Sequence, residues 1–132
     1  FLIYDDGHAA LLDPGGELTY SRLFMAVSNY MNVKKLDYVI ASHQDPDIVA
    51  SVNKWLVSTD CDVVLPAIWE RFIPHFTRSD RLADRVVAIP DQGMVLPLGR
   101  PLPWSCSGAR PSSLQAITRA RIRLTCSNPM AM

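Results

Sequence analysis

Three side chains that commonly bind metals occur at every second position of one short segment. They are His43, Asp45 and Asp47, in the sequence Ser-His-Gln-Asp-Pro-Asp that occupies positions 42–47. In an extended chain alternate side chains point the same way, so these three side chains can converge. An imidazole nitrogen with two carboxylate oxygens is a ligand set suited to iron, manganese or zinc. The residue types and their spacing therefore predict a metal site in this segment.

Each of the three residues also has an ordinary structural interpretation. Asp45 is a good N-cap and Pro46 a good first helical residue, so the role of Asp45 could be limited to closing a helix end. Asp47, in the first turn of such a helix, would interact favourably with the helix dipole without any metal. A single histidine at a strand end, as at position 43, is more often a hydrogen-bonded surface residue than a ligand. Spacing alone leaves both interpretations open.

The segment is predicted to lie between a buried strand and a helix. Residues 38–41 form a β-branched and aromatic run that is typical of a buried strand. A helix is predicted from about 46 to 58, with one apolar face made of Ile48, Val52, Trp55 and Leu56. Ligands of α/β proteins commonly bind beyond the carboxyl ends of strands, which is where this segment would lie.

The remainder of the first 100 residues alternates between strand and helix patterns, which predicts an α/β fold. A hairpin turn is predicted at Asp5-Asp6-Gly7, with a strand on each side. The expected strands are 1–4, 9–12, 62–65, 86–89 and 94–98, and the expected helical segments are 21–31 and 67–73. The apolar stripe of the first helix, which we expect to pack in the core, comprises Leu23, Phe24, Val27, Tyr30 and Met31. His8 is expected in the hairpin turn and His75 at the surface, both outside any metal site.

Composition is that of a globular domain. The chain has 132 residues, of which 48% are hydrophobic and 20% charged, and no apolar run reaches the ~18 residues of a membrane span. Its three cysteines, Cys61, Cys106 and Cys126, lack metal-binding spacing, which favours a reduced, cytoplasmic setting. The sequence starts at Phe1 inside a predicted strand, and we therefore expect a fragment of a longer product.

The last 32 residues differ in character from the body. Residues 1–100 contain all 13 acidic residues and carry a net charge of −4, whereas 101–132 contain four arginines and no acid. Positions 116–124 have helical propensity, but Arg119, Arg121 and Arg123 alternate at a strand-like interval. Because these local signals disagree, we expect 101–132 to be a non-native or poorly ordered tail on a domain formed by 1–100. Without interleaved aromatic residues the tail predicts no nucleic-acid partner, and no membrane partner is expected.

The segment at 42–48 resembles the metal-binding signature of the metallo-β-lactamase superfamily, His-x-His-x-Asp-His. It is most similar to the branch of flavodiiron and related oxygen-binding di-iron proteins, in which the second position is acidic and Ser-His-Gln-Asp-Pro-Asp-Ile recurs. His43, Asp45 and Asp47 match the first three ligands, whereas Ile48 stands where many members have a histidine. The similarity extends upstream through 10–16, Ala-Leu-Leu-Asp-Pro-Gly-Gly, and covers residues 1 to about 100.

The resemblance implies an αβ/βα sandwich, of which this chain would hold roughly the first half as a mixed sheet with flanking helices. It implies a di-iron centre in the intact parent, with zinc as the alternative metal, and a diatomic gas, dioxygen or nitric oxide, as ligand. A redox or signalling partner is expected, a homodimer is left open, and no flavin site is visible. The family's later ligands are two histidines and an aspartate, but no His follows His75 and no Asp follows Asp91. We therefore expect this chain to be incomplete and inactive.

Three functions follow from these observations. The first is a di-iron protein that binds or reduces dioxygen or nitric oxide, as a reductase or as a sensor. The second is a zinc hydrolase, in which a metal-bound hydroxide attacks an ester or a lactam. The third is a non-catalytic domain that keeps the fold and has lost the metal site. Asp45 and Ile48, standing where two-zinc hydrolases have histidines, argue against the second.

Overall fold

The computed structural model describes residues 1–72, 84–98 and 121–125. Its centre is a five-stranded sheet with the order β1-β2-β3-β4-β5. The strands are β1 (Leu2–Asp5), β2 (His8–Leu12), β3 (Leu36–Ile40), β4 (Asp62–Pro66) and β5 (Val86–Ile89). β1 is antiparallel to β2, and every later pair is parallel. The predicted mixed sheet with flanking helices is confirmed.

The first two strands form the predicted hairpin. Asp6 and Gly7 make its two-residue turn with φ values of 45° and 82°, the positive values that a type I′ hairpin turn requires. His8, expected in the turn, is instead the first residue of β2 and pairs with Asp5. The His8 Nδ1 atom lies 3.0 Å from a carboxylate oxygen of Asp37, which is buried, so this contact links β2 to β3.

The helices cover one face of the sheet. They are α1 (Tyr20–Tyr30), α2 (Pro46–Val49) and α3 (Val52–Ser58), and 3₁₀ turns occur at Glu17–Thr19, Val33–Lys35 and Ala67–Phe72. Val27 of α1 and Trp55 of α3 are buried against Val39 of β3. The expectation that Tyr30 lies in this core is wrong, because its side chain is 80% exposed. Met31, where the chain leaves α1, is buried and closes the core at that end.

The single helix predicted over 46–58 is two helices, separated at Ala50 and Ser51. A continuous helix would direct the Ser51 N–H to the carbonyl of residue 47. That N–H instead donates to the Gly15 carbonyl at 3.2 Å, and the Ser51 hydroxyl donates to the same oxygen at 2.7 Å. A tertiary contact with the loop after β2 therefore ends α2.

The second face of the sheet packs on a smaller, two-stranded sheet. This sheet pairs β6 (Met94–Pro97) with β7 (Arg121–Leu124) in antiparallel register. Its buried cluster includes Ile40 and Val64 from the large sheet and Leu96 from β6. Both β5 and β6 were predicted as strands. They follow each other in the sequence but belong to different sheets.

The basic tail contributes β7, which resolves the conflicting signals in this region in favour of a strand. Residues 121–124 are a strand, and the expectation that 101–132 form a non-native or poorly ordered tail stays a prediction. Positions 101–120 and 126–132, like His75, lie outside the described residues. None of the helices in the described ranges is long and apolar enough to cross a membrane.

Candidate functional site

The predicted metal-binding segment leaves the sheet at the carboxyl end of β3. The Ala41 N–H still donates to Val64 of β4, at 2.8 Å, so the strand-like path continues to position 41. His43, Asp45 and Asp47 follow, and all three side chains are exposed. Their predicted place, beyond the end of a buried parallel strand, is confirmed.

Asp13 fixes the start of this loop. It follows β2, the parallel neighbour of β3, and its N–H donates to the Ile40 carbonyl at 2.8 Å. The Ser42 N–H donates to Asp13 Oδ1 at 2.8 Å, and the Ser42 hydroxyl donates to Oδ2 at 2.9 Å. Asp13 has a φ of 50°, a left-handed conformation that aspartate adopts more readily than most residues. The carboxylate therefore holds the residue that precedes His43.

The glycines after Asp13 allow α2 to pack closely on the same loop. Gly15 has a φ of 85°, and a Cβ at this position would lie 2.8 Å from Thr19 Oγ1. Its N–H donates to the Ile48 carbonyl at 3.1 Å, in addition to the contact that its carbonyl makes with Ser51. A Cβ on Gly16 would lie 3.9 Å from Asp47 Cα. The backbone of α2 is therefore held directly against the turn.

Asp45 occupies the N-cap position of α2, as predicted, but its side chain does not cap the helix. Its backbone is extended, with φ −64° and ψ 138°, and Pro46 is the first helical residue. The Asp45 carbonyl accepts hydrogen bonds from Ile48 and Val49 at 2.9 and 3.0 Å, whereas the carboxylate makes no cap hydrogen bond. Helix formation therefore leaves the Asp45 carboxylate oxygens available to another partner.

The three predicted ligands share one end of β3 without forming a closed site. Within residues 1–72, 84–98 and 121–125, no group of three or more His, Cys, Asp and Glu side chains is placed to hold a metal ion. The alternation that would align them holds only for extended backbone, and Asp47 already lies inside α2. The donor types of His43, Asp45 and Asp47 suit iron, but these three residues alone do not form a closed metal centre in the described part of the chain.

Arg85, just before β5, is a structural residue to which the sequence pattern assigned no individual role. Its guanidinium donates to the carbonyls of Leu56 at 2.8 Å and Thr59 at 3.0 Å, and also to the carbonyl of Cys61. These carbonyls lie at and just beyond the end of α3, where a cation is favourable and where helical carbonyls lack partners. Burial raises the pKa of the Cys61 thiol, so the thiol is neutral near pH 7.

The architecture defines the class of protein. The chain has a TM-score of 0.64 with the metallo-β-lactamase SMB-1 in its complex with mercaptoacetic acid, at 14% identity over 74% of this chain and 42% of that one. At this identity the similarity establishes the fold alone, which is the metallo-β-lactamase fold.

The family is narrower than the fold. Residues 1–103 match the family described as ODP family beta lactamase, and the chain belongs to that family. The apo state of the chemotaxis sensor ODP from T. denticola is 40% identical, with a TM-score of 0.65 over 74% of this chain and 39% of that one. The peroxy diiron species of chemotaxis sensor ODP is 39% identical, with a TM-score of 0.62 over 74% and 38%. This chain thus spans about 39% of the sensor's length. A comparison with curated proteins finds no match.

Proposed function

We propose that this chain supplies the first ligand loop of a di-iron, oxygen-sensing protein of the ODP family. The observation that carries the proposal is the position of His43, Asp45 and Asp47, exposed at the carboxyl end of β3 in a chain that matches this family over 1–103. The similar solved protein is a chemotaxis sensor that forms a peroxy diiron species. This favours oxygen sensing over substrate turnover as the role of the whole protein.

Each of the three residues has a separate part in the proposal. His43 supplies an imidazole nitrogen, and Asp45 supplies a carboxylate that the helix does not use. Asp47 supplies a second carboxylate from the first turn of α2, whose backbone is held against the glycine turn. Asp13 is a positioning residue and not a proposed ligand, since its carboxylate accepts hydrogen bonds from Ser42.

By itself the chain should bind at most one metal ion, and weakly. No histidine follows His75 and no aspartate follows Asp91 in the sequence, so the later ligands of the resembled family are missing from this chain. Each missing ligand removes binding free energy and leaves the coordination geometry less defined. We therefore infer that this chain is not active as an isolated di-iron centre.

Anaerobic titration of the 132-residue chain with ferrous iron, followed by desalting and elemental analysis, tests the proposal. We expect no more than one iron per chain, bound weakly enough to be lost on desalting. His43→Ala and Asp47→Asn should weaken binding during the titration. The matched control is Asp6→Asn, because Asp6 is exposed in the hairpin turn at the opposite end of β2 and asparagine tolerates its positive φ.

Two results would contradict the proposal in different ways. Two tightly held irons per chain would show that the loop and its surroundings form a complete centre. Iron binding that His43→Ala and Asp47→Asn leave unchanged would show that iron binds elsewhere and that this loop has no metal role. A parallel zinc titration with an esterase assay tests the hydrolase alternative.

A further inference from the structure

A small cavity, partly open to solvent, lies directly behind the loop that carries His43. It lies between this loop, the α2–α3 helices and the helix-covered face of the sheet, and its volume is about 30 Å³. His43 and Gln44 form its loop side, and the other eight lining side chains are apolar. Val52, Leu56 and Val63 belong to this apolar wall, and all three are buried in the main core.

The volume limits what the cavity can hold. A water molecule needs roughly 10–15 Å³ measured in this way, whereas a cavity that binds benzene measures about 150 Å³. At about 30 Å³ the cavity accepts a molecule of two or three heavy atoms and excludes an aromatic ring or a lactam. This volume therefore favours water and small gases as occupants.

The polarity of the wall favours a gas over water. A buried water needs two to four hydrogen-bond partners, and apolar cavities that lack them stay dry. Gln44 Oε1 is buried without a hydrogen-bond partner among the described residues, and it offers a water one acceptor. Among the ten residues that line the cavity, His43 alone is exposed. An apolar diatomic molecule needs none of these hydrogen bonds.

We infer that this cavity, named here the loop cavity, is a holding site for dioxygen next to the metal-binding loop. His43 belongs both to its wall and to the proposed ligand set, so a gas molecule leaving the cavity on this side arrives at the loop. The choice of dioxygen as occupant rests on the proposed function. The existence of an apolar gas site rests only on the volume and lining of the cavity.

Xenon, an apolar and polarisable atom of similar size, is the probe for the metal-free 132-residue chain. Under increasing xenon pressure, methyl NMR signals of Val52, Leu56 and Val63 should shift and reach saturation. Methyl signals of Ile40 and Val64, on the opposite face of the sheet, should show small, non-saturating shifts. Oxygen pressure should then broaden the same loop-cavity methyl signals by paramagnetic relaxation.

Two adjacent strand residues provide a matched pair of variants. Val63 lines the loop cavity, whereas Val64 belongs to the cluster on the other face. Val63→Ile adds one methylene to the cavity wall and should lower xenon affinity several-fold. Val64→Ile adds the same group elsewhere and should leave the affinity unchanged. If either variant fails to fold, the wild-type titration still decides the question.

Uniform, non-saturating shifts on both faces of the sheet would overturn the inference, as would equal effects of the two variants. Because the protein carries no iron in this experiment, a negative xenon result leaves the proposed iron-binding role standing. Conversely, a chain that fails to bind iron through His43 and Asp47 can still show a saturable xenon site. The two proposals therefore fail separately.

Discussion

Replacing Asp13 by glycine should destabilise the protein by loosening the loop that carries His43. The Asp13 carboxylate accepts hydrogen bonds from the N–H and hydroxyl of Ser42, at 2.8 and 2.9 Å. Bonds to a charged group contribute about 1.5–3 kcal/mol each, but these two are exposed to solvent, so we assign about 1–2 kcal/mol to the pair. Glycine adopts the positive φ without strain, but it raises the conformational entropy of the unfolded chain, which destabilises the folded protein by up to about 1 kcal/mol. The expected loss in the free energy of unfolding is therefore ~2 kcal/mol.

Two controls isolate the hydrogen bonds from other effects. Asp13→Asn keeps one acceptor oxygen and tolerates the left-handed backbone, so it should lose less than half as much. In a double-mutant cycle of Asp13→Gly with Ser42→Ala, the coupling energy should be about 0.5–1.5 kcal/mol, because only the hydroxyl bond is shared by both changes. Urea unfolding followed by tryptophan fluorescence measures all five proteins, which are the four of the cycle and Asp13→Asn. A coupling energy of zero would show that the Asp13–Ser42 contact does not hold the loop.

Three further predictions use the same unfolding assay or a simple chemical one. Arg85→Met should lower the free energy of unfolding by about 2–4 kcal/mol, because three carbonyls near the end of α3 lose their donor. A decrease in this free energy of less than about 0.5 kcal/mol would contradict the prediction. Asp45→Ala should cost less than the ~1 kcal/mol of a lost N-cap, because its carboxylate makes no cap bond, and a full 1 kcal/mol would indicate capping in solution. Burial raises the pKa of the Cys61 thiol from its ordinary value of 9.0. With the other cysteines replaced by serine, the Cys61 thiol of the folded protein should react slowly with Ellman's reagent. The free energy of unfolding should fall above pH 9, because the thiol ionises at a lower pH in the unfolded state than in the folded state.

The sequence by itself determined the features that depend on neighbouring residues. Asp6 and Gly7 specify a two-residue hairpin turn because both can adopt positive φ, and the turn forms as predicted. The apolar run at 38–41 predicts a buried strand, and every residue of β3 is buried. Asp45 followed by Pro46 predicts a helix start, and α2 begins there. The motif at 42–48 was also sufficient to indicate the family.

Tertiary structure alone decided the features whose partners are distant in sequence. Ser51 ends α2 by bonding to Gly15, 36 positions away, and Arg85 reaches carbonyls 24 to 29 positions away. Asp13 and Ser42, 29 positions apart, meet because β2 and β3 are parallel neighbours whose ends lie at the same edge. A side-chain donor or acceptor has no preferred partner until strand order brings one within 3 Å or so. For the same reason the spacing of His43, Asp45 and Asp47 predicted which donor atoms are available but not their positions. Because α2 starts at Pro46, Asp47 has helical backbone, and its side chain does not follow the alternation of an extended chain.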